Sequence, residues 1–241
     1  MDDLAAVMQQ PMALLAAAGL LMFLLLAGAF FVFGGGAARS AILIVGPSGA
    51  GKTALFHQLR DGDTFNDFVT SMEINEGSFP LSSEKGMSTK PIHVVDLPGH
   101  PRLRLKLDKF APTAKGVVFL VDSTNIMPQI RGISEYMFEV LSRPELAKAR
   151  VPVMLACNKV DLGARVHSLD FIQKKLEKEV ESLRSTRGAL QGSTGSDLAL
   201  LNASQPFSFS NCRNKITVCL VSAMKGDVGS VETFLRSCVP A

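Results

Sequence analysis

The chain has 241 residues, of which 47% are hydrophobic, and its formal net charge at pH 7 is +3. The length allows a full hydrophobic core, whereas the small net charge, the absence of tryptophan and the single tyrosine argue against direct nucleic-acid binding. The four cysteines have no C-x-x-C spacing, so neither a zinc site nor a disulfide framework is indicated.

Residues 12–33 predict one N-terminal transmembrane helix. They read MALLAAAGLLMFLLLAGAFFVF, contain no charged residue, and as a helix would span roughly 33 Å. A cleaved signal peptide is the alternative, but Asp2 and Asp3 replace the usual basic start of such a peptide. We expect a retained signal anchor with residues 1–11 in the lumen. Arg39 is the positive flank, so the linker 34–40 and a domain over 41–241 are expected on the cytosolic side.

The first predicted strand of this domain, residues 42–45, leads into a glycine-rich turn that matches the phosphate-binding pattern G-x-x-x-x-G-K-[ST]. The glycines allow successive backbone N–H groups to face one anion, and the following helix adds a positive dipole end. Lys52 is expected to reach the β- and γ-phosphates, and the Thr53 hydroxyl to bind Mg²⁺. The predicted phosphate-binding residues are Gly46, Pro47, Ser48, Gly49, Ala50, Gly51, Lys52 and Thr53.

The rest of the domain alternates strand-like and helix-like patterns, which predicts an α/β fold with a mostly parallel six-stranded sheet and helices on both faces. Further strands are predicted over 72–81, 90–95, 116–121, 151–156 and 216–221. Helical patterns cover 53–60, 129–141, 169–183 and 228–238. Residues 185–210 are rich in Ser, Gly and Asn, and we expect a long mobile insertion there.

Three further motifs follow successive predicted strands, and the carboxyl ends of such strands converge on ligands in open α/β sheets. In the first, Asp96-Leu97-Pro98-Gly99, Asp96 is expected to hold Mg²⁺ through water and the Gly99 amide to meet a γ-phosphate. Together with the phosphate loop, this motif indicates a nucleoside triphosphate bound with Mg²⁺.

The other two motifs indicate the base. In Asn158-Lys159-Val160-Asp161, the carboxylate of Asp161 can accept the N1–H and N2–H₂ groups of guanine, a donor pair that adenine lacks. Asn158 can bridge the base edge and the loop, and the stem of Lys159 can cover the base. In Ser222-Ala223, the Ala223 amide can donate to guanine O6. GTP with Mg²⁺ is therefore the expected ligand.

With these motifs the chain resembles the Ras-like small GTPase superfamily and, within it, the family of beta subunits of the signal recognition particle receptor. The runs 96–104 and 70–73 and the polar insertion carry much of this likeness, which covers nearly the whole chain. The resemblance implies a P-loop GTPase domain whose switch I threonine is Thr70, closing on Mg²⁺ and the γ-phosphate; Ser71 competes for that role. Many Ras-like enzymes carry glutamine after D-x-x-G to orient the attacking water, and here His100 holds that catalytic position.

The same resemblance implies a subunit anchored in the endoplasmic reticulum membrane whose GTP-bound switch loops dock the receptor's alpha subunit for co-translational protein targeting. The ribosome and the translocon are further candidate partners. One alternative is a cycling Arf-like or Sar-like GTPase of membrane traffic, which His100 and a permanent anchor disfavour. Another is a membrane-tethered P-loop ATPase, which Asp161 disfavours. The pattern leaves open whether GTP hydrolysis is slow or partner-assisted.

Overall fold

The computed structural model describes residues 20–23, 39–63, 73–191 and 205–240. Of the predicted spanning segment 12–33 it describes only residues 20–23, which are helical; the remainder, most of the linker, and both Thr70 and Ser71 lie outside the described residues. Within the described ranges, no helix combines the length and apolar character that crossing a bilayer requires. The chain divides into two units after Ala38, and the unit that begins at Arg39 is described below.

Six strands form one sheet in this unit, as the alternating pattern predicted. They are β1 (Ala41–Val45), β2 (Asn75–Phe79), β3 (Ile92–Asp96), β4 (Ala114–Asp122), β5 (Val153–Asn158) and β6 (Ile216–Leu220). Their order across the sheet is β2-β3-β1-β4-β5-β6. β2 pairs antiparallel with β3, whereas the remaining neighbours are parallel. The mostly parallel sheet is therefore confirmed, with one antiparallel edge strand.

Six α-helices lie in the described part of the same unit. They are α1 (Lys52–Asp61), α2 (Lys106–Phe110), α3 (Ile126–Ser142), α4 (Pro144–Lys148), α5 (Leu169–Gln191) and α6 (Gly229–Cys238). Helices cover both faces of the sheet. Alternate residues of β1 separate the two layers, since Leu43 is buried with the apolar faces of α3 and α5, and Ile44 with those of α1 and α6. Both clusters consist of residues after Arg39, so this domain has its own core and is expected to fold independently.

The boundaries of the predicted insertion 185–210 differ from those in the structure. α5 continues to Gln191, and Phe207 and Phe209 are buried against the core. The carboxylates of Glu177 and Glu181 accept hydrogen bonds from the backbone N–H groups of Phe209 and Phe207, both at 2.8 Å. Side chains of the helix therefore hold the returning chain, a long-range arrangement that the polar composition does not reveal. Residues 192–204 lie outside the described residues.

Candidate nucleotide-binding site

The predicted motifs meet along the carboxyl edge of the sheet. Parallel pairing places Ile44 beside Asp96 and Asp122 beside Asn158, so the phosphate loop after β1 and the ends of β3, β4 and β5 are neighbours. This is the edge at which open α/β sheets bind ligands. The sheet therefore brings these motifs into direct contact, through hydrogen bonds between residues up to 108 positions apart in sequence.

The phosphate loop needs glycine at two of its positions for different contacts. A Cβ on Gly46, whose φ is +142°, would lie 2.1 Å from the Leu120 carbonyl oxygen on β4. A Cβ on Gly51, whose φ is +94°, would lie 2.3 Å from Nδ2 of Asn158, the last residue of β5. Gly51 also precedes α1 with no side-chain cap, so the first amides of the helix are directed at the loop's concavity, where they can bind an anion.

Lys52 is buried in this loop, with 7% of its surface exposed. Its Nζ donates a 2.9 Å hydrogen bond to the Pro47 carbonyl oxygen across the loop. Burial lowers the pKa of Lys52 to about 8, although the charge of Asp96 acts in the opposite direction. A buried ammonium group that donates to a neutral carbonyl is suited to a phosphate ligand, which would supply a counter-charge.

Asp96 is almost completely buried at the end of β3. Its Oδ2 accepts hydrogen bonds from Thr53 Oγ1 at 2.8 Å and from Asn75 Nδ2 at 2.9 Å. Its Oδ1 is buried and has no hydrogen-bond partner within the described residues. Burial raises the pKa of Asp96, partly opposed by the bonds from Asn75 and Thr53. An unpaired carboxylate oxygen beside a threonine hydroxyl is a donor set that fits Mg²⁺.

Asn75 was missed by the sequence analysis, because its contact depends on strand register. The antiparallel pairing of β2 with β3 sets Asn75 opposite Asp96. The sequence predicted a strand over 72–81, but no motif marks which of its residues faces the end of β3.

The motif after β3 packs directly on the phosphate loop. A Cβ on Gly99 would lie 2.5 Å from Gly46 O, Pro47 C and Ser48 N, so only glycine fits this approach. The contact is with the loop's backbone, whereas the residue Ser48 itself is exposed. The next residue, His100, is half-buried, and its Nδ1 accepts a 3.3 Å hydrogen bond from the Arg102 amide. The neutral ring then carries its proton on Nε2.

Asn158 connects the phosphate loop to the loop after β6. Its Nδ2 donates to the Ala50 carbonyl oxygen at 2.8 Å, and its Oδ1 accepts from the Ala223 amide at 3.0 Å. Ser222 Oγ donates to Asp161 Oδ1 at 2.5 Å. The two motifs that the sequence analysis assigned to guanine therefore form one hydrogen-bonded unit, with Asp161 on its exposed side.

Lys159 has a partner that the sequence analysis did not identify. Its backbone is left-handed, with φ +70°, and its Nζ lies 2.6 Å from Oδ2 of Asp122 at the end of β4. Burial alone would raise the pKa of Asp122, but hydrogen bonds from Lys159 and Thr124 outweigh it and lower that pKa. The pair holds the lysine stem along the rim of the site. Asp122 could have been noticed, since it directly follows a predicted strand as Asp96 does.

Comparisons with known proteins agree with this geometry. The family model described as "Signal recognition particle receptor beta subunit" matches residues 37–216. The signal recognition particle receptor subunit beta of Rattus norvegicus is 34% identical over 199 residues, which is 80% of this chain and 72% of the relative. The Saccharomyces cerevisiae subunit is 29% identical over 185 residues, or 71% of this chain and 72% of that protein.

Solved structures extend the comparison to three dimensions. A chain of the mammalian SRP receptor structure superposes with a TM-score of 0.69 at 31% identity, covering 83% of this chain and 100% of the other. The Arl6 small GTPase of Trypanosoma brucei gives a TM-score of 0.59 at 15% identity, covering 82% of this chain and 95% of the other. The second likeness supports the small GTPase fold alone.

Proposed function

Because the chain belongs to the signal recognition particle receptor beta subunit family, we propose that it is the GTP-binding beta subunit of that receptor. The observation that carries this proposal is the continuous linkage of the site. Asn158 joins the phosphate loop to the loop that follows β6, and Ser222 fixes Asp161 beside it. A single ligand that spans phosphates and a guanine base fits this arrangement.

The phosphates would be held by the loop from Gly46 to Thr53, with Lys52 as the counter-charge. Mg²⁺ would be held by Thr53 and Asp96, whose unpaired Oδ1 supports this assignment, and Thr70 is proposed as a further ligand. Bound Mg²⁺ would neutralise phosphate charge. A Chaetomium thermophilum receptor structure described as SRb-GDP-Mg covers 83% of this chain at 24% identity, with a TM-score of 0.59, and is consistent with this pair of ligands.

The base would be recognised by Asp161, because the amide of Ala223, expected from the sequence to donate to guanine O6, already donates to Asn158 Oδ1. Asp161 accepts from Ser222 through Oδ1, which orients the carboxylate. Asn158 is buried and already uses both of its amide atoms within the protein. We therefore assign Asn158 to holding the loops together and reserve base recognition for the exposed Asp161.

GTP would act as a switch through Gly99. The backbone of this glycine contacts the phosphate loop, so a ligand that enters the loop must displace or engage the segment after β3. The segment from His100 to Phe110 carries four exposed or half-buried cations and an exposed leucine, Leu105. We propose that GTP sets the position of this segment for docking the receptor's alpha subunit.

His100 would make hydrolysis slow in the isolated chain. With Nδ1 accepting from Arg102, the neutral ring presents an N–H at Nε2, which can orient a water molecule but cannot accept its proton. We propose that the subunit works mainly as a GTP-dependent scaffold at the endoplasmic reticulum membrane. Residues 12–33 would anchor it, and residues 41–241 would face the cytosol.

The test is to identify the nucleotide that co-purifies with residues 39–241. These residues are expressed alone and together with the domain of the alpha subunit that would bind them. The released nucleotide is separated chromatographically after denaturation. GTP retained with the partner is the expected result. GDP in both samples would favour a cycling Arf-like enzyme, and an adenine nucleotide would contradict the assignment of Asp161.

A further inference from the structure

The edge of the sheet opposite the nucleotide site is strongly basic. Five parallel strands begin there, and a lysine or arginine stands at or near the start of each. These exposed or half-buried cations, called the basic edge below, are Arg39, Lys90, Lys115, Lys148, Arg150, Arg213 and Lys215. The topology thus gathers onto one edge cations that are dispersed along 177 positions of sequence.

Hydrogen bonds show that much of the basic edge is continuous. The guanidinium of Arg39 donates to the carbonyl oxygens of Ala114 at 3.0 Å and Glu145 at 2.9 Å. The Asn214 side chain donates to the carbonyl oxygens of Leu146 at 3.1 Å and Val151 at 2.7 Å. The starts of β1, β4, β5 and β6 are therefore tied together around helix α4.

The charges of the basic edge are not neutralised within the described residues. None of its seven cations takes part in the ion pairs found there. Arg39 is bonded to neutral carbonyl groups. Glu145 lies beside Arg39 and Lys148 on an open groove of about 480 Å³, and it is the one acidic residue of the groove's lining. Uncompensated charge of one sign implies an anionic partner.

We propose that the basic edge rests on a bilayer surface and binds the anionic headgroups of phospholipids. This inference builds on the anchoring proposed for residues 12–33. Only residues 34–38 separate that apolar run from Arg39, a distance on the order of 20 Å when fully extended. A domain so tethered at its basic edge would turn that edge to the lipid, and the nucleotide site, at the opposite ends of the strands, to the cytosol.

Binding of the basic edge to anionic lipid would orient the domain on the membrane. Several cations within a Debye length of an anionic surface favour one orientation of the domain on that surface. The segment after Gly99, at the carboxyl edge, would then be presented to a partner arriving from solution. Lipid composition and ionic strength would regulate how well the subunit is oriented.

Vesicle co-sedimentation of residues 39–241 tests the surface without the anchor. We expect binding to phosphatidylcholine vesicles with about one-third phosphatidylserine, no binding to phosphatidylcholine alone, and loss of binding at high salt. The triple variant Lys90→Gln/Lys148→Gln/Lys215→Gln should weaken binding about fivefold per charge. The matched control, Arg131→Gln/Lys174→Gln/Lys178→Gln, removes three exposed cations elsewhere and should retain most of the binding.

Equal weakening by both triple variants, or no binding to the anionic vesicles, would overturn the proposal, as would retention on RNA in place of vesicles. Thermal unfolding verifies that both variants fold.

The full chain in nanodiscs supplies a second readout through acetylation of its lysines. Lys90, Lys148 and Lys215 should react more slowly in anionic than in neutral lipid, and Lys174 and Lys178 equally in both. A full chain that does not enter nanodiscs would contradict the anchor, while the vesicle result still decides the basic edge.

Discussion

Asn158 Nδ2 donates a 2.8 Å hydrogen bond to the carbonyl oxygen of Ala50, which lies 108 positions earlier in the chain. The other amide atom of Asn158 accepts from Ala223, 65 positions later. One buried side chain therefore fixes the distance between the phosphate loop and the proposed base-binding loop. The separation between the two loops is thus maintained by the protein itself, before any ligand contributes.

Replacing Asn158 with alanine should destabilise the domain and weaken nucleotide binding together. The change leaves the Ala50 carbonyl and the Ala223 amide without their partner, which we expect to cost about 3 kcal/mol in the free energy of unfolding. Urea denaturation and GDP titration would measure the two effects. Asn125→Ala is the control, because Asn125 is exposed and makes no side-chain cap to α3; an equal loss in both variants would contradict the bridging role.

Asp161→Asn should exchange guanine specificity for xanthine. The amide presents an N–H where the carboxylate accepted, so guanine loses a hydrogen-bond acceptor and xanthine gains a donor. GDP affinity should fall on the order of a hundredfold, and XDP affinity should rise. Calorimetry with both nucleotides measures this, with Asp170→Asn on an exposed helix position as the control. Unchanged GDP affinity would remove Asp161 from base recognition.

The lowered pKa of Lys52 predicts pH-dependent nucleotide binding. In the free protein Lys52 loses its proton near pH 8, whereas bound phosphates would favour the charged form, so GDP affinity should fall about fivefold between pH 8 and pH 9. The unfolded chain keeps this proton up to about 10.5, so the free energy of unfolding of the free protein should rise over the same window and up to pH 10.5. An affinity that stays constant between pH 8 and pH 9 would contradict this role of Lys52.

Lys52→Ala should also abolish nucleotide retention and, with it, capture of the alpha subunit. The buried ammonium group of Lys52 is the cation inside the phosphate loop, and alanine removes this positive charge. A pull-down with the alpha subunit's partner domain, read beside the bound-nucleotide content, measures both losses. Normal capture by nucleotide-free protein would exclude the GTP-dependent scaffold.

Gly99→Ala should destabilise the contact between the segment after β3 and the phosphate loop. The new Cβ would meet three backbone atoms at 2.5 Å, and we expect a loss of about 1–3 kcal/mol in the free energy of unfolding. Gly132→Ala on α3 is the opposite control, since no atom lies within 4 Å of its new Cβ and alanine favours the helix by about 0.5–1 kcal/mol. Thermal unfolding of the two variants should therefore shift in opposite directions.

The sequence by itself determined the fold class and most of the candidate site. Glycine spacing, apolar runs and the residues that directly follow them are local features, and they located the phosphate loop, Asp96, Asn158 and Asp161 at strand ends. Only the tertiary structure decided the contacts that depend on strand register and on helix packing. Three long-range contacts are of this kind: Asn75 with Asp96, Lys159 with Asp122, and Phe207 with α5.

The same difference between local features and long-range contacts explains why the sequence alone did not reveal the basic edge. In the sequence its cations stand singly or in pairs near the starts of apolar runs, and they carry no signal of their own. Parallel pairing brings the starts of five strands to one edge, so like charges that are far apart along the chain become neighbours in space. The residues of a binding motif are close together in the sequence. The residues of the basic edge become neighbours only when the strands have paired.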